Sequence, residues 1–475
     1  MVELQTTSSI RYHTDSNGLI AFHEPGLMNR KVWFGVSANG YEFPPDGFGM
    51  RGVTLETKQG GSARPKIKRI NIAERLYRIT GQGIYRDTVL LGRNPPIAEP
   101  LLNAEITGQD GHPERHLSRQ AVLVLWRHGE IVLRAGELSM TGATTDLPAK
   151  LDPSVGFALK YFTGKDGFAR SMSPIEGEDV VWLFGVVVIP DETGRERMLA
   201  YFQRRRGLGA VLENGFVVYN EEKDAFEKLK TVPLDPPIYP QLYSSRGQRD
   251  RTEHLYFNLP YPVLRVKADW KSYLDLSSYQ SYTCLKLGTR YSKDQVELDR
   301  DSSGKLVWAW KKDTQPLKPK DQEELIAAGK MKREESPFRL QDADSGKPIL
   351  LNNCSCFWND YRKRYIMIAS EEEGATKLGE VWYSEADQPE GPCVQARKII
   401  THASKKDDAH DFYNPTHHPF FDQKGGQIIY LEGSYANTFS GNPHPTPYYE
   451  YNQIMYRLDL SDPRLKLPAG TALER

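Results

Sequence analysis

The chain has 475 residues, of which 62 are Lys or Arg and 62 are Asp or Glu, so its formal net charge is zero. This balance, together with the lack of a basic stripe interleaved with aromatic residues, argues against nucleic-acid binding and gives no whole-chain attraction to an anionic membrane. With 39% hydrophobic residues over this length, the chain can bury a large core and can hold more than one domain.

The N-terminal part of the chain consists of short alternating segments between Gly, Pro, Asn and Asp turns. Lys31–Val36 and Gly52–Glu56 are two such segments, and each predicts a strand. We therefore predict a small β-sandwich-like accessory domain at residues 1–75, followed by a larger domain at residues 76–475.

Two segments bear on the location of the protein. Met1–Arg11 lacks the charged start and apolar run of a secretory signal, and the most apolar stretch, Val180–Ile189, is too short to span a bilayer. We expect no transmembrane segment. The expected location is extracellular or periplasmic if a signal peptide has been removed, and cytoplasmic otherwise.

One pattern recurs through the larger domain: an opening strand, an apolar strand, a turn and further strands. Such stacked four-stranded sheets are typical of β-propeller blades, so we predict an all-β fold with about five blades. The predicted opening segments lie, in chain order, at Asn103–Gly111, at Val180, within Tyr239–Leu285, at Asn352–Trp358 and at Phe412–His418.

Two further segments fit this architecture. We predict that Tyr77–Tyr85 closes the ring by pairing with a late strand, since open sheet edges invite aggregation. Lys320–Lys332 is rich in Glu, Lys, Gln, Ala and Leu, and predicts a helix in a solvated insertion.

The four cysteines fit no zinc motif. Cys354 and Cys356 point to the same face of one predicted strand and are badly placed to bond each other, whereas Cys393 stays an alternative partner for either. Together with Cys284, they are predicted to be buried free thiols.

The opening segment of the last predicted blade carries the densest cluster of polar and aromatic residues: Tyr413, Asn414, His417 and His418. Aromatic faces combined with amide and imidazole groups suit a sugar, whose C–H face stacks while its hydroxyls form hydrogen bonds. Because adjacent residues alternate along a strand, only one of the two histidines can face the centre. The alternative for each histidine is a structural hydrogen bond.

Trp358 and Asn359 end the opening strand of the preceding blade. They are candidates for a second sugar-stacking platform. The alternative for Trp358 is packing between blades, which uses many aromatic residues.

Three segments, Gly379–Tyr383, Gly391-Pro392 and Phe412–Pro415, resemble blades of five-bladed β-propeller glycoside hydrolases of the arabinanase and levansucrase type and their uncharacterised relatives. The resemblance implies a central funnel that binds an oligo- or polysaccharide and presents carboxylates from the inner strands. In such chemistry one carboxylic acid protonates the leaving oxygen, and a second carboxylate acts as base or nucleophile.

The resemblance also indicates candidates for the carboxylates. Asp110 matches the aspartate expected from the first blade and is the candidate base or nucleophile, Glu178 and Asp179 are candidates for the aspartate of the second blade, and Glu380 or Glu432 is the candidate acid. The alternatives are an ordinary Asp-Gly turn, an acidic surface turn and solvated strand-end residues, respectively.

The expected partner is a carbohydrate, and the resemblance requires no cofactor. Because related propellers can hold a central ion through histidine, a metal such as calcium stays open at His417 or His418. The oligomeric state is not specified. The rival function is a non-catalytic propeller that binds a glycan or another protein, because the sequence shows no well-placed third acid.

Overall fold

The computed structural model describes the chain except residues 1, 8–9, 110–113, 117–120, 132–136, 147–150, 157, 177–179, 208, 250–251, 373, 375–377, 403–410, 437–450 and 469–475. The fold is all-β, as predicted. The described helices are few and short. The α-helices are α1 (Arg86–Leu90), α2 (Trp270–Tyr273) and α3 (Pro319–Ala327).

The N-terminal residues form a four-stranded antiparallel sheet in the order β2-β1-β3-β5 and a separate two-stranded sheet. Phe34, which is fully buried, lies in the apolar core of this part. The strands are β1 (Glu3–Thr6), β2 (Arg11–His13), β3 (Arg30–Ser37), β4 (Tyr41–Glu42), β5 (Gly52–Thr57) and β6 (Lys68–Arg69). The boundary at residue 75 stays a prediction, and it falls within the next strand, β7 (Glu74–Arg78).

The rest of the described chain forms five sheets of four or five strands that follow one another along the sequence, here called sheets 1 to 5. Sheet 1 contains β8 (Ile106–Gln109), β9 (Glu114–His116), β10 (Ala121–Ile131), β11 (Glu137–Asp146) and β12 (Lys160–Tyr161). Sheet 2 contains β13 (Val180–Pro190), β14 (Glu196–Arg205), β15 (Val211–Asn220) and β16 (Ala225–Val232).

Sheet 3 contains β17 (Leu242–Arg249), β18 (Thr252–Asn258), β19 (Leu264–Lys267), β20 (Gln280–Thr283) and β21 (Ala309–Lys311). Sheet 4 contains β22 (Gln341–Asp342), β23 (Leu351–Asn359), β24 (Arg364–Glu371), β25 (Glu380–Ala386) and β26 (Gln395–Thr401). Sheet 5 contains β27 (Asp411–His417), β28 (Ile428–Ala436) and β29 (Tyr451–Asp459), and β7 is its fourth strand.

Consecutive sheets pack on one another. One edge strand of each of sheets 2 to 5 contacts the next, with β13 against β17, β17 against β23 and β23 against β27, and β11 of sheet 1 contacts β13 of sheet 2. Sheet 5 also returns to sheet 1, because β29 contacts β8 and because Tyr430 and Met455 share an apolar cluster with Ala143 and Leu159. Every sheet is therefore packed between two others.

The pairing of β7 with β29 joins the start of the larger domain to its end. Arg78 lies opposite Ile454 and Tyr77 opposite Met455, and the backbone N–H of Ile79 donates to the carbonyl of Gln453 at 2.8 Å. The predicted pairing of an early segment with a late strand is confirmed. The strand begins at Glu74, slightly before the predicted segment.

The helix predicted at Lys320–Lys332 is confirmed in its first part as α3, which ends at Ala327. Gly329 adopts a φ of 68°, a left-handed conformation that commonly terminates helices. The four cysteines are buried and free, as predicted. Burial raises the pKa of Cys284 and of Cys393 to about 12, so neither thiol is poised to react near neutral pH.

We predict that Tyr77→Ala lowers the free energy of unfolding by about 3 kcal/mol or more, because it removes a buried ring from the cluster between sheets 5 and 1. Tyr77→Phe is the matched control. It keeps the ring and loses only the hydrogen bond from the hydroxyl to the Pro153 carbonyl, at 2.6 Å, and should cost about 1 kcal/mol. Urea denaturation of both variants measures the difference, and equal losses would contradict the packing described.

Candidate functional site

Several described polar residues lie at one end of sheets 4 and 5, where β23, β25 and β27 begin. We call this the opening end and define it by Asn353, Glu371, Glu380 and Asn414. Glu371 ends β24 opposite Leu351, so it lies at the same end as the start of β23.

An asparagine bridge joins β23 of sheet 4 to β27 of sheet 5. The Nδ2 of Asn353 donates to the Oδ1 of Asn414 at 2.5 Å, and both residues are 8% exposed. The ladder is irregular at each of them, with register shifts between Leu351 and Asn353 and between Tyr413 and Thr416. Such bulges re-aim side chains and are common beside active sites.

The local sequence explains the irregularity in β27. Asn414 has a φ of 52°, a left-handed conformation that asparagine tolerates better than most residues, and Pro415 cannot donate a ladder hydrogen bond. The hydroxyl of Thr416 donates to the Asn414 carbonyl at 3.1 Å and holds the bulge. Strained residues of this kind cluster at functional sites, where the surrounding structure maintains them.

Tyrosine hydroxyls extend this polar surface. The hydroxyls of Tyr413 and Tyr451 lie 2.7 Å apart and form a hydrogen bond between β27 and β29. Hydrogen bonds thus link Tyr413 to Tyr451 and link Asn414, the next residue along β27, to Asn353. The sequence alone does not indicate Asn353 or Tyr451 as neighbours of Tyr413 and Asn414, because each of them belongs to a different strand.

A pair of glutamates lies at the opening end on sheet 4. A Cβ atom at Gly374 would lie 2.7 Å from Oε2 of Glu380 and 2.9 Å from Oε2 of Glu371. These two oxygens are therefore less than about 6 Å apart, so the two carboxyl groups are close neighbours. The hydroxyl of Thr401 donates to Oε1 of Glu380 at 3.2 Å, and Nε1 of Trp382 donates to Oε2 of Glu371 at 2.8 Å.

The two carboxyl groups differ in their surroundings. Glu380 is fully buried, whereas Glu371 is half-buried. Burial raises the pKa of Glu371, and the charge of Glu380 raises it further. The sequence suggests a solvated charge run at Glu371–Glu373. The structure instead places Glu371 against Trp382, a contact between neighbouring strands that the run itself does not reveal.

Glu432 lies elsewhere. It is fully buried on β28, where it lies between Thr416 on β27 and Met455 on β29. The pKa of Tyr161 is raised mainly by burial, and the charge of Glu432 raises it further. Because Tyr161 belongs to sheet 1, Glu432 faces the junction of sheets 5 and 1. Glu380 is on sheet 4, so the structure does not pair these two candidates.

The remaining predicted carboxylates, Asp110, Glu178 and Asp179, lie outside the described residues. Gln109, which precedes Asp110, is fully buried. Its Nε2 donates to the Thr141 hydroxyl at 2.8 Å, and its Oε1 accepts from the Tyr161 hydroxyl at 2.6 Å.

His417 and His418 lie at the far end of β27 and are buried. Nε2 of His417 is 2.8 Å from an oxygen of Asp422, and the His417 backbone N–H donates to the Ser355 hydroxyl at 2.9 Å. The backbone N–H of His418 donates to the Tyr430 carbonyl at 2.9 Å.

The described residues around His417 do not fit a metal ion. His417 and Asp422 form a hydrogen bond with each other, and the ring of Phe357 packs edge-on against the imidazole. In the described part of the chain, no group of three or more His, Cys, Asp or Glu side chains is arranged to hold a metal.

Trp358 and Asn359 are also distant along the strand from the opening end, since they end β23. Trp358 is 43% exposed, and its Nε1 donates to Asp360 at 3.2 Å. Asn359 is buried, and it donates to the Gly426 carbonyl at 2.9 Å and accepts from the Arg362 backbone N–H at 2.9 Å. The structure therefore does not bring these two residues to Tyr413 and Asn414.

No helix in the described ranges has the length and apolar character needed to cross a membrane. No protein-family model matches the chain, and no curated protein matches it.

Several solved structures are similar to the chain at low identity. A protein of Bacteroides ovatus described as a hydrolase is 11% identical, with a TM-score of 0.45, and the match covers 81% of this chain and 93% of that one. An α-L-arabinofuranosidase of Fusarium graminearum is 9% identical, with a TM-score of 0.36 and coverage of 82% and 98%. An exo-β-1,3-galactanase of Phanerochaete chrysosporium is 11% identical, with a TM-score of 0.38 and coverage of 83% and 67%.

We predict that Glu371→Gln stabilises the protein at pH 7. When the pKa of a carboxyl group is raised in the folded state, the protein loses stability as the pH rises from the unfolded pKa of that group through its folded pKa. The glutamine amide does not ionise, so the variant avoids this loss. The gain should be small, about 0.5 kcal/mol, because the group is partly solvated, and it should vanish below about pH 4.

Glu372→Gln is the matched control for this measurement, since it removes the same charge from the adjacent position. Thermal denaturation of the parent and both variants at pH 4 and pH 7 separates the two effects. An equal gain for Glu372→Gln, or a gain for Glu371→Gln that persists at pH 4, would contradict the assignment.

Proposed function

We propose that sheets 1 to 5 are the blades of a five-bladed β-propeller and that the protein is glycoside hydrolase-like, acting on an oligo- or polysaccharide in the central funnel. The order of the sheets, the contacts between their edge strands and the return of sheet 5 to sheet 1 support the architecture. The glutamate pair beside the asparagine bridge is the observation that carries the function.

The proposed chemistry needs one carboxyl group that stays protonated and a second that is ionised. Glu371 suits the proton donor, because its pKa is raised and it is partly exposed. Glu380 is a positioning residue in this proposal: its buried charge lies beside Glu371 and favours the protonated form of that group. Asp110 is proposed as the base or nucleophile.

The asparagine bridge and the tyrosine pair are proposed to bind the sugar. Asn353 and Asn414 hold amide groups at the start of two inner strands, and Tyr413 and Tyr451 add hydroxyls and ring faces. Amides bond sugar hydroxyls, and aromatic faces stack on pyranose rings. The bulge that holds Asn414 keeps this surface fixed before the ligand arrives.

A non-catalytic glycan-binding propeller is the second candidate. It is favoured by the complete burial of Glu380 and Glu432, which keeps both carboxylates away from a ligand in the described structure. Hydrolysis and binding must therefore be measured separately.

The test is to incubate the protein with plant, algal and bacterial polysaccharides and to chromatograph the released sugars. We expect Glu371→Gln and Asp110→Asn each to lower the rate by about a hundredfold or more, because each removes an acid or base from the reaction. We expect Glu380→Gln to move the alkaline limb of the pH profile to lower pH, because it removes the charge that raises the pKa of Glu371.

Glu372→Gln is the control and should keep the parent rate. Release of sugars by Glu371→Gln at the parent rate would remove Glu371 from the mechanism. If the parent releases nothing but still binds a polysaccharide in affinity gels, the non-catalytic function replaces the hydrolytic one.

A further inference from the structure

A basic groove lies beside β26, on the side of sheet 4 away from β23. It has a volume of about 760 Å³ and is bounded by β26 on one side and by the segment after β29 on the other. Its cationic residues are Arg397, Lys398, Arg464 and Lys466.

The walls of the groove are fixed by hydrogen bonds. The guanidinium of Arg397 donates from Nε and Nη2 to the Lys466 carbonyl, at 3.1 and 3.0 Å, and ties the C-terminal segment to β26. Asp462 holds the guanidinium of Arg464, with Nη2 at 2.6 Å from its Oδ2. Leu465, between these contacts, is buried in the cluster shared by sheets 4 and 5.

The groove keeps a positive excess after its own ion pairs are counted. Asp344 pairs with Arg397, and Asp462 pairs with Arg464. Lys398 and Lys466 are both exposed, and within the described part of the chain neither forms an ion pair with a carboxylate. A ligand that carries several negative charges would complement this surface.

The groove also has an apolar side, formed by Ile72, Pro463, Leu467 and Pro468. Apolar contacts of this kind suit the C–H face of a pyranose ring, whereas a small inorganic anion would not use them. At the other side, the Nζ of Lys398 lies 5.1 Å from the centre of the Trp382 ring, and that indole donates to Glu371. The groove is therefore linked through one side chain to the opening end.

We infer that this groove binds a polysaccharide that carries uronate carboxylates. The inference rests on the proposed saccharide-binding function and specifies the class of ligand. The guanidinium groups of Arg397 and Arg464 are held by the walls of the groove and add to its positive potential, and the exposed ammonium groups of Lys398 and Lys466 pair with the uronate carboxylates. The apolar side contacts the sugar rings between the charged groups.

The experiment compares polygalacturonate with a neutral galactan of similar length, using the full chain in affinity electrophoresis and titration calorimetry. Polygalacturonate should bind more tightly, and its affinity should fall with added salt. The double variant Lys398→Gln/Lys466→Gln should bind polygalacturonate about fivefold more weakly and should bind the neutral galactan as the parent does.

The double variant Lys305→Gln/Lys320→Gln is the control, because it removes two exposed charges at a distance from the groove. Equal weakening by the two double variants would overturn the inference, since it would reflect net charge alone. Binding of poly-glutamate as tight as that of polygalacturonate would overturn the assignment to a saccharide. If the parent binds no polysaccharide at all, the proposed function fails together with the inference. If it binds them all and the groove variant changes nothing, only the inference fails.

Discussion

The pairing of β7 with β29 is the constraint on which the rest of the larger domain depends. Among the described residues, sheet 5 obtains three strands from the C-terminal part of the chain, and its fourth comes from residues 74–78. Without that strand, β29 would expose an unpaired edge, and the Tyr77 ring would leave the cluster between sheets 5 and 1. At its other edge sheet 5 reaches sheet 4, because β27 pairs with β28 and packs directly against β23 and β24.

The candidate site follows from this arrangement. Asn353 and Asn414 belong to different sheets, and they meet only because β23 and β27 pack side by side and start at the same end. Glu371 and Glu380 belong to neighbouring strands of one sheet, so the antiparallel ladder alone brings them together. The candidate site thus combines two glutamates that strand pairing within sheet 4 brings together and an asparagine bridge that forms because sheets 4 and 5 pack together. The two glutamates lie in unequal environments, because Glu380 is fully buried and Glu371 is half-buried.

The sequence predicted the strands of sheets 4 and 5 well, because apolar runs and glycine or acidic turns alternate clearly around Trp382 and Tyr430. It also indicated Tyr413 and Asn414, where an Asn-Pro step interrupts a strand. It did not indicate which end of β23 and β27 belongs to the candidate site. Trp358 and His417 lie on these two strands, but at the end away from Asn414. The importance of Glu371 was hidden, because a run of three glutamates is typical of a solvated surface and its burial depends on Trp382 from the next strand.

Hydrogen exchange with and without a bound polysaccharide is the most direct test of whether the ligand binds at the opening end, because it reports where the ligand lies without requiring turnover. We expect increased protection in peptides that contain Asn353 and in peptides that contain Tyr413 and Asn414. Asn414→Ala should weaken both the binding and the protection. Protection confined to the far ends of the same strands, around Trp358 and His417, would contradict the account and would place the ligand at the opposite end of the sheets.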